Sequence, residues 1–401
     1  MLYRKMKNTG DTLSILGYGC MRFPEKRGKI DKEKATRQLH YAIDQGINYF
    51  DTAFPYHMGE SEPFLGQALT KEQKKKVKIA TKLPAGSVRV EEDMEKILDN
   101  QLKKLKVDCI DYYLLHGLDK FNWEHFKKFD VLNFLDKIKI KGKVINTGFS
   151  FHDDTATFKK IVDSYDWHFC QIQYNYMDVS HEAGTNGLEY AIKKGLGIII
   201  MEPLRGGTLT YKIPKEIQEV WNESDIKRSP AEWAFRWLWN RSEITVILSG
   251  MNNDEHINEN LKIANQGLPN SLTEKELSLF KRVRDLYHKL LDIKCTGCRY
   301  CIPCPAGVNI PACFDLYNRI KFYKEAKFYN IFKYGYHLGG FDKRKKEYAS
   351  QCINCGKCIE KCPQKINIPL SLKKVSKELE NFTLLFLSFF YNLFSSKARK
   401  K

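Results

Sequence analysis

The sequence lacks the segments that direct a protein out of the cell or across a membrane. Residues 1–8 contain no apolar run of the kind that a secretory signal needs. The strongly apolar stretch at residues 382–394 is too short to span a bilayer, which takes about 20 residues. We therefore expect a cytoplasmic protein that is kept in a reducing compartment.

The sequence also lacks any motif typical of nucleic-acid binding, although it is strongly basic. Its formal net charge is +18, and lysine-rich stretches at residues 71–78, 137–143 and 343–346 contribute much of it. No stacking aromatic or groove-reading motif accompanies this charge, so nucleic acid is not an expected partner. The charge belongs either to solvated helix faces or to a surface that attracts an acidic electron carrier such as a ferredoxin or flavodoxin.

Cysteines are scarce over most of the chain and dense in one part of it. Nine of the 12 lie within residues 295–362, and only Cys20, Cys109 and Cys170 lie elsewhere. Clustered cysteines in a cytosolic chain indicate metal ligands rather than disulfides. The 401 residues are enough for one large domain and a second, smaller module.

Between residues 16 and 250, short apolar runs alternate with amphipathic stretches at a spacing of roughly 30 residues, which is typical of βα units. Eight strands separated by helices favour a closed, parallel (β/α)8 TIM barrel over an open sheet, and the residues before position 16 predict a hairpin that closes the barrel bottom. The strands are predicted to end near Gly19, Asp51, Lys82, His116, Ser150, Tyr174, Glu202 and Gly250. Helices are predicted at 32–45, 90–105, 123–141, 253–264 and 273–291.

At Cys295 the character of the sequence changes, and two similar cysteine-rich segments follow. The second repeats the first at an offset of 57 residues for the first three cysteines and 58 for the fourth, and Asn-Ile-Pro follows both. This is an internal duplication. We predict a barrel over residues 1–291, a small, mainly α-helical ferredoxin-like domain over 292–375, and an apolar helix with a basic tail over 376–401.

The apolar stretch at 382–394 has two interpretations. It forms a terminal helix packed on the barrel or on the cysteine-rich module, or it contacts a membrane surface or another protomer. The basic residues that follow it suit contact with an anionic membrane surface.

The cysteine spacing predicts two [4Fe–4S] clusters. The second segment has the pattern Cys-x2-Cys-x2-Cys-x3-Cys-Pro, in which three close thiolates bind one cubane and the fourth binds the other cluster. Zinc is the main alternative, but zinc sites usually pair two separated Cys-x2-Cys elements. Cross-ligation predicts one cluster on Cys295, Cys298, Cys301 and Cys362, and the other on Cys304, Cys352, Cys355 and Cys358. Two such clusters would lower the net charge to about +14.

The first segment departs from the usual pattern at its fourth cysteine. Only two residues separate Cys301 from Cys304, where three are usual. Cys313 is therefore a spare candidate ligand, and its alternative role is that of a small buried residue in a helix.

Four polar residues stand where successive barrel strands are predicted to end. Asp51 ends one strand, Tyr56 follows five residues later in the loop, and Lys82 and His116 end the next two strands. In (β/α)8 enzymes the chemistry takes place at these strand ends. Each residue alone has a structural explanation, since a strand-end Asp can cap a helix and a His can bond a backbone carbonyl. Together they are a candidate catalytic set.

In type, order and position, these four residues resemble the catalytic tetrad of the aldo-keto reductase family. The resemblance extends over residues 2–290 and includes Leu16-Gly-Tyr-Gly, Phe50-Asp-Thr-Ala-Phe-Pro-Tyr, Asn146-Thr-Gly-Phe-Ser and Gln171-Ile-Gln-Tyr-Asn. It implies a barrel of the aldo-keto reductase type, here in a form fused to a dicluster domain.

The tetrad suits the reduction of a carbonyl group, which needs a proton donor at the developing alkoxide. By the resemblance Tyr56 is that donor, and the Lys82 ammonium is expected to lower its pKa from about 10. Asp51 would orient Lys82, and His116 would donate a hydrogen bond to the carbonyl oxygen. The hydride would come from a nicotinamide.

The resemblance also implies where the nicotinamide cofactor binds. Ser150 and Gln173 would contact the carboxamide, and the loop at 201–207 would lie near the ring and diphosphate. The full set is Ser150, Gln173, Pro203, Leu204, Gly206, Ser249, Gly250, Glu259 and Asn260.

This chain departs from the family in the residues that would hold the cofactor. Phe151 replaces a common Asn, and Gly250 and His256 stand where NADPH-preferring members carry Lys and Arg. NAD and NADP therefore both remain open.

Two functions fit the two modules. The first is NAD(P)(H)-dependent hydride transfer between a small carbonyl and its alcohol, with clusters that transfer electrons or stabilise the fold. The alternative is a single-electron-transfer protein that uses the barrel as scaffold or sensor. A hydride carries two electrons and a cubane normally takes one, so coupling the modules calls for a flavin, although the chain has no obvious flavin-specific motif. A third class, a cluster-based regulator, has little support in the sequence.

Overall fold

The computed structural model describes residues 1–339 and 346–388. The chain divides into two compact units that do not follow the linear order of the sequence. Unit 1 contains Met1–Leu204 and Arg228–Leu277, and unit 2 contains Arg205–Lys227 and the described residues from Ser278 onward. Two segments that precede residue 292, at 205–227 and 278–291, are thus grouped with the cysteine-rich part of the chain.

Unit 1 is a closed barrel of eight parallel strands, which confirms the predicted fold class. Two hairpins accompany the barrel, β1 (Tyr3–Lys5) with β2 (Thr12–Ser14) and β4 (Glu25–Lys26) with β5 (Lys29–Ile30). The barrel strands are β3 (Leu16–Gly19), β6 (Tyr49–Asp51), β7 (Lys78–Pro84), β8 (Ile110–Leu118), β9 (Val144–Phe151), β10 (Phe169–Gln173), β11 (Gly197–Met201) and β12 (Ile244–Ser249).

Each barrel strand pairs with the next one in the chain, and the pairing of β12 with β3 closes the sheet. Every strand ends within two residues of its predicted end. The strands were predictable because both of their faces are buried, which produces continuous apolar runs such as Ile198–Ile200. Closure brings the eight carboxyl ends to one rim, where the site is built.

Helices connect the strands of unit 1. The pattern at 123–141, predicted as one helix, forms two, because Asp130 adopts a left-handed conformation (φ 49°) that ends the first. Asp tolerates this conformation better than most residues. The helices are α1 (Lys32–Asp44), α2 (Ser61–Ala68), α3 (Lys71–Lys76), α4 (Glu91–Leu105), α5 (Lys120–Lys127), α6 (Val131–Ile140), α7 (Thr155–Val162), α8 (Gly184–Lys193), α10 (Pro230–Trp239) and α11 (Asp254–Ala264), and α9 (Lys215–Trp221) belongs to unit 2.

The β1–β2 hairpin closes the amino-terminal end of the barrel. Met6 and Leu13 are fully buried in the cluster of side chains that fills the barrel interior. A Cβ atom at Gly197, the first residue of β11, would lie 2.5 Å from Met6 Cγ. The bottom of the barrel interior is therefore packed with apolar side chains.

Helices α2 and α4 approach each other closely at Gly66. A Cβ atom there would lie 2.1 Å from the Lys104 carbonyl oxygen and 2.7 Å from the Leu105 carbonyl carbon. Both are backbone atoms, so relief requires a helix to move. We expect Gly66→Ala to lower the free energy of unfolding by about 1–3 kcal/mol, the usual cost of overpacking. Chemical denaturation measures it.

Gly86→Ala is the matched control, because a Cβ atom at Gly86 meets no described atom within 4 Å apart from its chain neighbours. We expect this change to leave stability the same or slightly higher. Equal effects of the two substitutions would contradict the packing explanation.

The regular elements of unit 2 in its described residues are helices. They enclose a separate apolar core that includes Ile310, Phe314, Leu372 and Val375. After α9, the helices are α12 (Glu274–Leu290, in unit 2 from Ser278), α13 (Ile310–Lys321), α14 (Lys327–His337), α15 (Lys357–Glu360) and α16 (Ile368–Leu379).

The sequence duplication is also visible in the structure of unit 2. Each cysteine-rich segment leads into a helix, α13 or α16, that begins at the Ile of Asn-Ile-Pro. Pro in the first helical turn suits this start, because it lacks only an N–H that has no partner there.

The structure describes the first part of the apolar segment at 382–394. Leu384 is buried in the unit 2 core, and Leu387 packs against that core. This favours the interpretation as a terminal helix packed on the cysteine-rich module, as far as residue 388. The rest of that prediction, from residue 389 onward, lies outside the described residues. Among the described helices, none combines the length and apolarity needed to cross a membrane.

Candidate active site and cluster-binding sites

The four tetrad residues lie together at the carboxyl ends of β6, β7 and β8. The Lys82 ammonium donates hydrogen bonds to Asp51 Oδ1 at 2.7 Å, to the Thr52 carbonyl at 2.8 Å and to Tyr56 Oη at 3.3 Å. The His116 ring stands edge-on to the Tyr56 ring with centroids 6.1 Å apart. The arrangement joins a phenol, an ammonium and a carboxylate in one hydrogen-bonded group.

The surroundings of this group determine its protonation. Burial raises the pKa of Asp51, and Lys82 opposes that shift through charge and a hydrogen bond. Burial lowers the pKa of His116 well below its usual value, and the positive charge of Lys82 lowers it further. His116 is therefore neutral at physiological pH and can donate one hydrogen bond.

The Tyr56 phenol behaves differently from the expectation based on Lys82 alone. Burial, followed by the Asp51 carboxylate, raises the pKa of Tyr56 well above 10. The lowering of this pKa that was expected from Lys82 does not dominate, because the phenol is enclosed and the negative charge of Asp51 opposes it. Tyr56 is thus fully protonated at neutral pH, as a proton donor must be.

Several residues assigned to the cofactor by resemblance are buried at neighbouring strand ends. The Ser150 hydroxyl accepts a hydrogen bond from the Gly117 N–H at 2.7 Å, and Gln173 Nε2 donates to Asp178 Oδ2 at 2.8 Å. Both side chains are thereby oriented by local partners. Ser150 retains its hydroxyl hydrogen, and Gln173 its carbonyl oxygen, as potential contacts for a carboxamide.

The remaining cofactor assignments fall at separate places. Ser249 Oγ accepts a hydrogen bond from Asn260 Nδ2 at 3.1 Å, and Glu259 is partly buried in α11. Pro203 and Leu204 follow β11 in unit 1, whereas Gly206 belongs to unit 2.

Arg22, which the sequence analysis did not single out, also belongs to the rim of the barrel. Its Cβ and Cδ atoms lie 3.0 and 3.1 Å from the position of a Cβ at Gly250. One guanidinium nitrogen, Nη2, is buried without a hydrogen-bond partner among the described residues. Its charge also acts on Tyr56, whose pKa it lowers against the larger effects of burial and Asp51. Its location three residues after the end of β3 was the available signal.

A second missed group is an ion pair near His116. His152, directly after β9, lies 3.0 Å from Glu182 Oε1, and the Glu182 side chain is almost fully buried. Burial opposes protonation of His152, but the charge of Glu182, its hydrogen bond and the charge of Glu202 together raise the pKa above 6.5. The sequence did not indicate it because Glu182 lies 30 residues away.

This pair predicts a pH-dependent contribution to stability. Because the folded pKa of His152 lies above the unfolded value, the contribution is complete below that unfolded value and is lost as pH rises through the folded one. We expect Glu182→Gln to lower the thermal midpoint more at about pH 6 than at about pH 9. Thermal unfolding of both proteins across this range measures the difference.

The control for this experiment is Glu189→Gln, which removes an exposed carboxylate paired with Arg241 at 3.4 Å. Its effect should be small, as is usual for exposed ion pairs. If Glu182→Gln lowers the midpoint equally at both pH values, the ion pair does not make this contribution.

In unit 2 the eight predicted ligands gather around two cavities. One is lined by Cys295, Cys298, Cys301 and Cys362 together with apolar side chains. The other is lined by Cys304, Cys352, Cys355 and Cys358, and Cys301 also reaches it. In each set the fourth cysteine comes from the other repeat, as in the predicted cross-ligation. Within residues 1–339 and 346–388, no group of three or more His, Cys, Asp or Glu side chains is arranged to hold a single metal ion.

The first cavity encloses its thiols more than the second. Burial raises the pKa of Cys295 to about 11 and of Cys301 to about 12, and the Gly297 N–H donates to Cys295 Sγ at 3.4 Å. Metal ligation needs thiolates, so binding iron there would release protons. In the second cavity Cys355 is exposed.

Cys313 lies apart from both cavities. It is fully buried in α13, with its sulfur 3.8 Å from Tyr334 Oη and from the Glu347 carbonyl oxygen. Burial raises the pKa of its thiol to about 12. This position suits the interpretation of Cys313 as a small buried residue.

A closed barrel of eight parallel strands with a buried polar group at its carboxyl rim has the architecture of the TIM-barrel enzymes, whose active sites lie at that rim. Residues 15–281 match the model of the Aldo/keto reductase family, and the chain belongs to that family. Residues 294–366 match the model of a 4Fe-4S dicluster domain. These matches confirm the predicted resemblance and the predicted enzyme class, an aldo-keto reductase-like oxidoreductase, here with an iron–sulfur domain.

Individual relatives agree with this assignment. Aldo-keto reductase yakc of Schizosaccharomyces pombe, named for NADP(+), is 28% identical over 230 residues, which cover 54% of this chain and 65% of that protein, slightly less than two thirds. The NADH-specific methylglyoxal reductase of Escherichia coli is 24% identical over 310 residues, which cover 65% of this chain and 92% of that protein.

Solved structures extend the likeness to the fold. The holo form of aldo-keto reductase AKR11C1 from Bacillus halodurans superposes with a TM-score of 0.59 at 20% identity, over 71% of this chain and 96% of that one. A thermostable aldo-keto reductase, Tm1743, has the same TM-score at 24% identity and is covered completely. At these identities the likeness concerns the fold.

Proposed function

We propose that the barrel catalyses hydride transfer between a nicotinamide cofactor and a small carbonyl compound or its alcohol. The observation that carries the proposal is the hydrogen-bonded group of Asp51, Lys82 and Tyr56 beside His116. The reaction converts carbonyl, hydride and proton into an alcohol, and the bound nicotinamide supplies the hydride.

Each tetrad residue has a definite task in this reaction. The phenol of Tyr56 is protonated and stands ready to donate a proton to the developing alkoxide. The Lys82 ammonium, 3.3 Å away, stabilises the phenolate that this transfer leaves. The neutral imidazole of His116 donates a hydrogen bond that orients the carbonyl oxygen. Asp51 holds Lys82 in place through a short, buried ion pair.

The residues around the tetrad fit a nicotinamide cofactor. Ser150 and Gln173 would bind the carboxamide, because both are buried polar side chains held by local hydrogen bonds. The partly buried Arg22, whose Nη2 atom is buried without a partner among the described residues, would bind an anion, either a phosphate of the cofactor or a carboxylate of the substrate. We infer no preference between NAD and NADP, and one of the two relatives is named for each.

We propose that the cysteine-rich unit binds two [4Fe–4S] clusters and exchanges single electrons with an acidic carrier such as a ferredoxin or flavodoxin. Two sets of four thiols around separate cavities support two clusters, and the chain's charge of +18 suits an acidic partner. A flavin remains a candidate cofactor, because a two-electron hydride must be divided before cubanes can accept it. The match to a dicluster domain also favours the second candidate function, in which electron transfer is the main activity.

The test is anaerobic purification followed by assays of iron, sulfide and flavin. NADH or NADPH is then mixed with aldehydes and ketones, and both nicotinamide oxidation and cluster absorbance are followed. Carbonyl-dependent oxidation of either cofactor supports the reductase. Oxidation without carbonyl, together with bleached clusters, supports internal electron transfer instead. A protein with iron but neither activity would contradict the barrel's proposed role.

A further inference from the structure

Arg205 is a buried cation in unit 2 and lies four residues after the end of β11 at Met201 in the sequence. Its side chain is deeply buried, with the residue only 3% exposed. Its Nη2 atom donates hydrogen bonds to the Lys294 carbonyl oxygen at 3.3 Å and to Gln364 Oε1 at 3.0 Å. The guanidinium is therefore held in one position by groups of the cysteine-rich chain.

Both hydrogen-bond acceptors flank ligands of the first cavity. Lys294 immediately precedes Cys295, and Gln364 lies two residues after Cys362. Gln364 itself lines the cavity that these cysteines share with Cys298 and Cys301. A positive charge bonded to both segments is thus fixed directly behind residues that line the first cavity.

The backbone next to Arg205, at Gly206, lies in close contact with the backbone of Thr296. A Cβ atom at Gly206 would lie 1.9 Å from the Thr296 carbonyl oxygen, and Gly206 has a φ of +67°. Thr296 also lines the first cavity, between Cys295 and Cys298. Only glycine allows this approach without moving the backbone, so the loop and its arginine have a closely defined position.

We propose that Arg205 raises the reduction potential of the cluster on Cys295, Cys298, Cys301 and Cys362. The inference rests on the proposed presence of the two clusters. A cubane gains one negative charge when it is reduced, and a fixed, buried positive charge stabilises that more negative state. Arginine suits this task because its guanidinium stays charged when buried.

The second cavity has no equivalent among the residues that line it. Its cationic lining residues, Lys357 and Lys361, are both exposed. Water and salt screen exposed charges much more than buried ones. The same loss of one positive charge should therefore matter less at the second cluster.

The experiment compares Arg205→Gln, Arg205→Lys and the control Lys357→Gln in the full, anaerobically reconstituted chain. Potentiometric titration followed by electron paramagnetic resonance determines the midpoint potentials. In Arg205→Gln we expect one potential to fall by about 59 mV, equivalent to a tenfold change in the one-electron equilibrium. The other potential should stay constant. Arg205→Lys, which keeps the charge, should retain most of the potential, and Lys357→Gln should shift less.

Two outcomes would overturn the inference: unchanged potentials in Arg205→Gln, or equal falls in the Gln and Lys variants, which would indicate a structural role. If Arg205→Gln does not retain its iron, the midpoint potentials are measured in Gly206→Ala instead. Its added methyl group must displace the loop that carries Arg205. A potential that stays at the parent value in this variant also counts against the inference. Absence of iron from the parent protein would instead refute the proposed clusters.

Discussion

Replacing Tyr56 by Phe is expected to reduce the rate of carbonyl reduction by about 10²- to 10⁴-fold, the usual contribution of a positioned general acid. The change removes one oxygen atom, which accepts a hydrogen bond from the Lys82 ammonium at 3.3 Å. The phenyl ring still fits the space beside His116. Steady-state kinetics with NADH or NADPH and a carbonyl substrate measures the loss, which should fall on kcat rather than on the KM for the cofactor.

Tyr113→Phe is the matched control for this experiment. Both tyrosines are buried, but the Tyr113 hydroxyl donates to Gln101 Oε1 at 2.9 Å instead of belonging to the tetrad. We expect it to cost some stability, about 1 kcal/mol for one hydrogen bond, and to leave most of the activity. Full activity in Tyr56→Phe would refute the barrel mechanism. In that case the electron-transfer function would become the better explanation of the chain.

Replacing Cys304 by Ala is expected to remove one cluster, lowering the iron content from about eight atoms per chain to about four. Cys304 is the informative choice because its spacing from Cys301 departs from the usual pattern. It nevertheless lines the second cavity with cysteines of the other repeat, which supports its proposed role as the fourth ligand there. Iron and sulfide assays on anaerobically reconstituted protein measure the change.

Cys313→Ala is the matched control, because Cys313 lies nine residues further on and is buried away from both cavities. The iron content should stay at the parent value. A full iron content in Cys304→Ala, or a loss of iron in Cys313→Ala, would show that the ligand sets have been wrongly assigned. Either result would leave the reductase mechanism untouched, since the two sites use separate residues.

The two predictions separate the modules experimentally. A variant that loses carbonyl reduction but keeps its clusters can still be tested for electron exchange with a carrier. A variant that lacks one cluster can still be tested for hydride transfer. The comparison decides whether the clusters take part in turnover or support the fold. The chemistry of the cofactors is compatible with both roles.

Features set by local chain chemistry were predictable from the sequence. The barrel strands were found because burial on both faces demands apolar runs, and the tetrad was found because parallel strands end at one rim. The grouping of the eight cysteines into two sets could be predicted because cubane ligation restricts cysteine spacing. The prediction of a single helix at 123–141 was wrong, since nothing in the periodicity marks the left-handed turn at Asp130 that separates the two observed helices.

Features that depend on distant groups were not predictable. The pKa of Tyr56 rises because the folded chain encloses the phenol, whereas the sequence indicated only the nearby ammonium. The pair of His152 and Glu182 joins residues from two different loops.

By itself, then, the sequence determined an eight-stranded barrel with four polar residues at its rim and a duplicated set of cysteines, because periodicity and spacing are local properties of the chain. Only the tertiary structure decided which residues surround those groups. Residues 205–227 belong to the cysteine-rich unit, and the Arg205 guanidinium donates a hydrogen bond to Gln364, which lines the first cavity. The physical reason is that burial and charge at a site are sums over neighbours, and packing brings those neighbours from far along the chain.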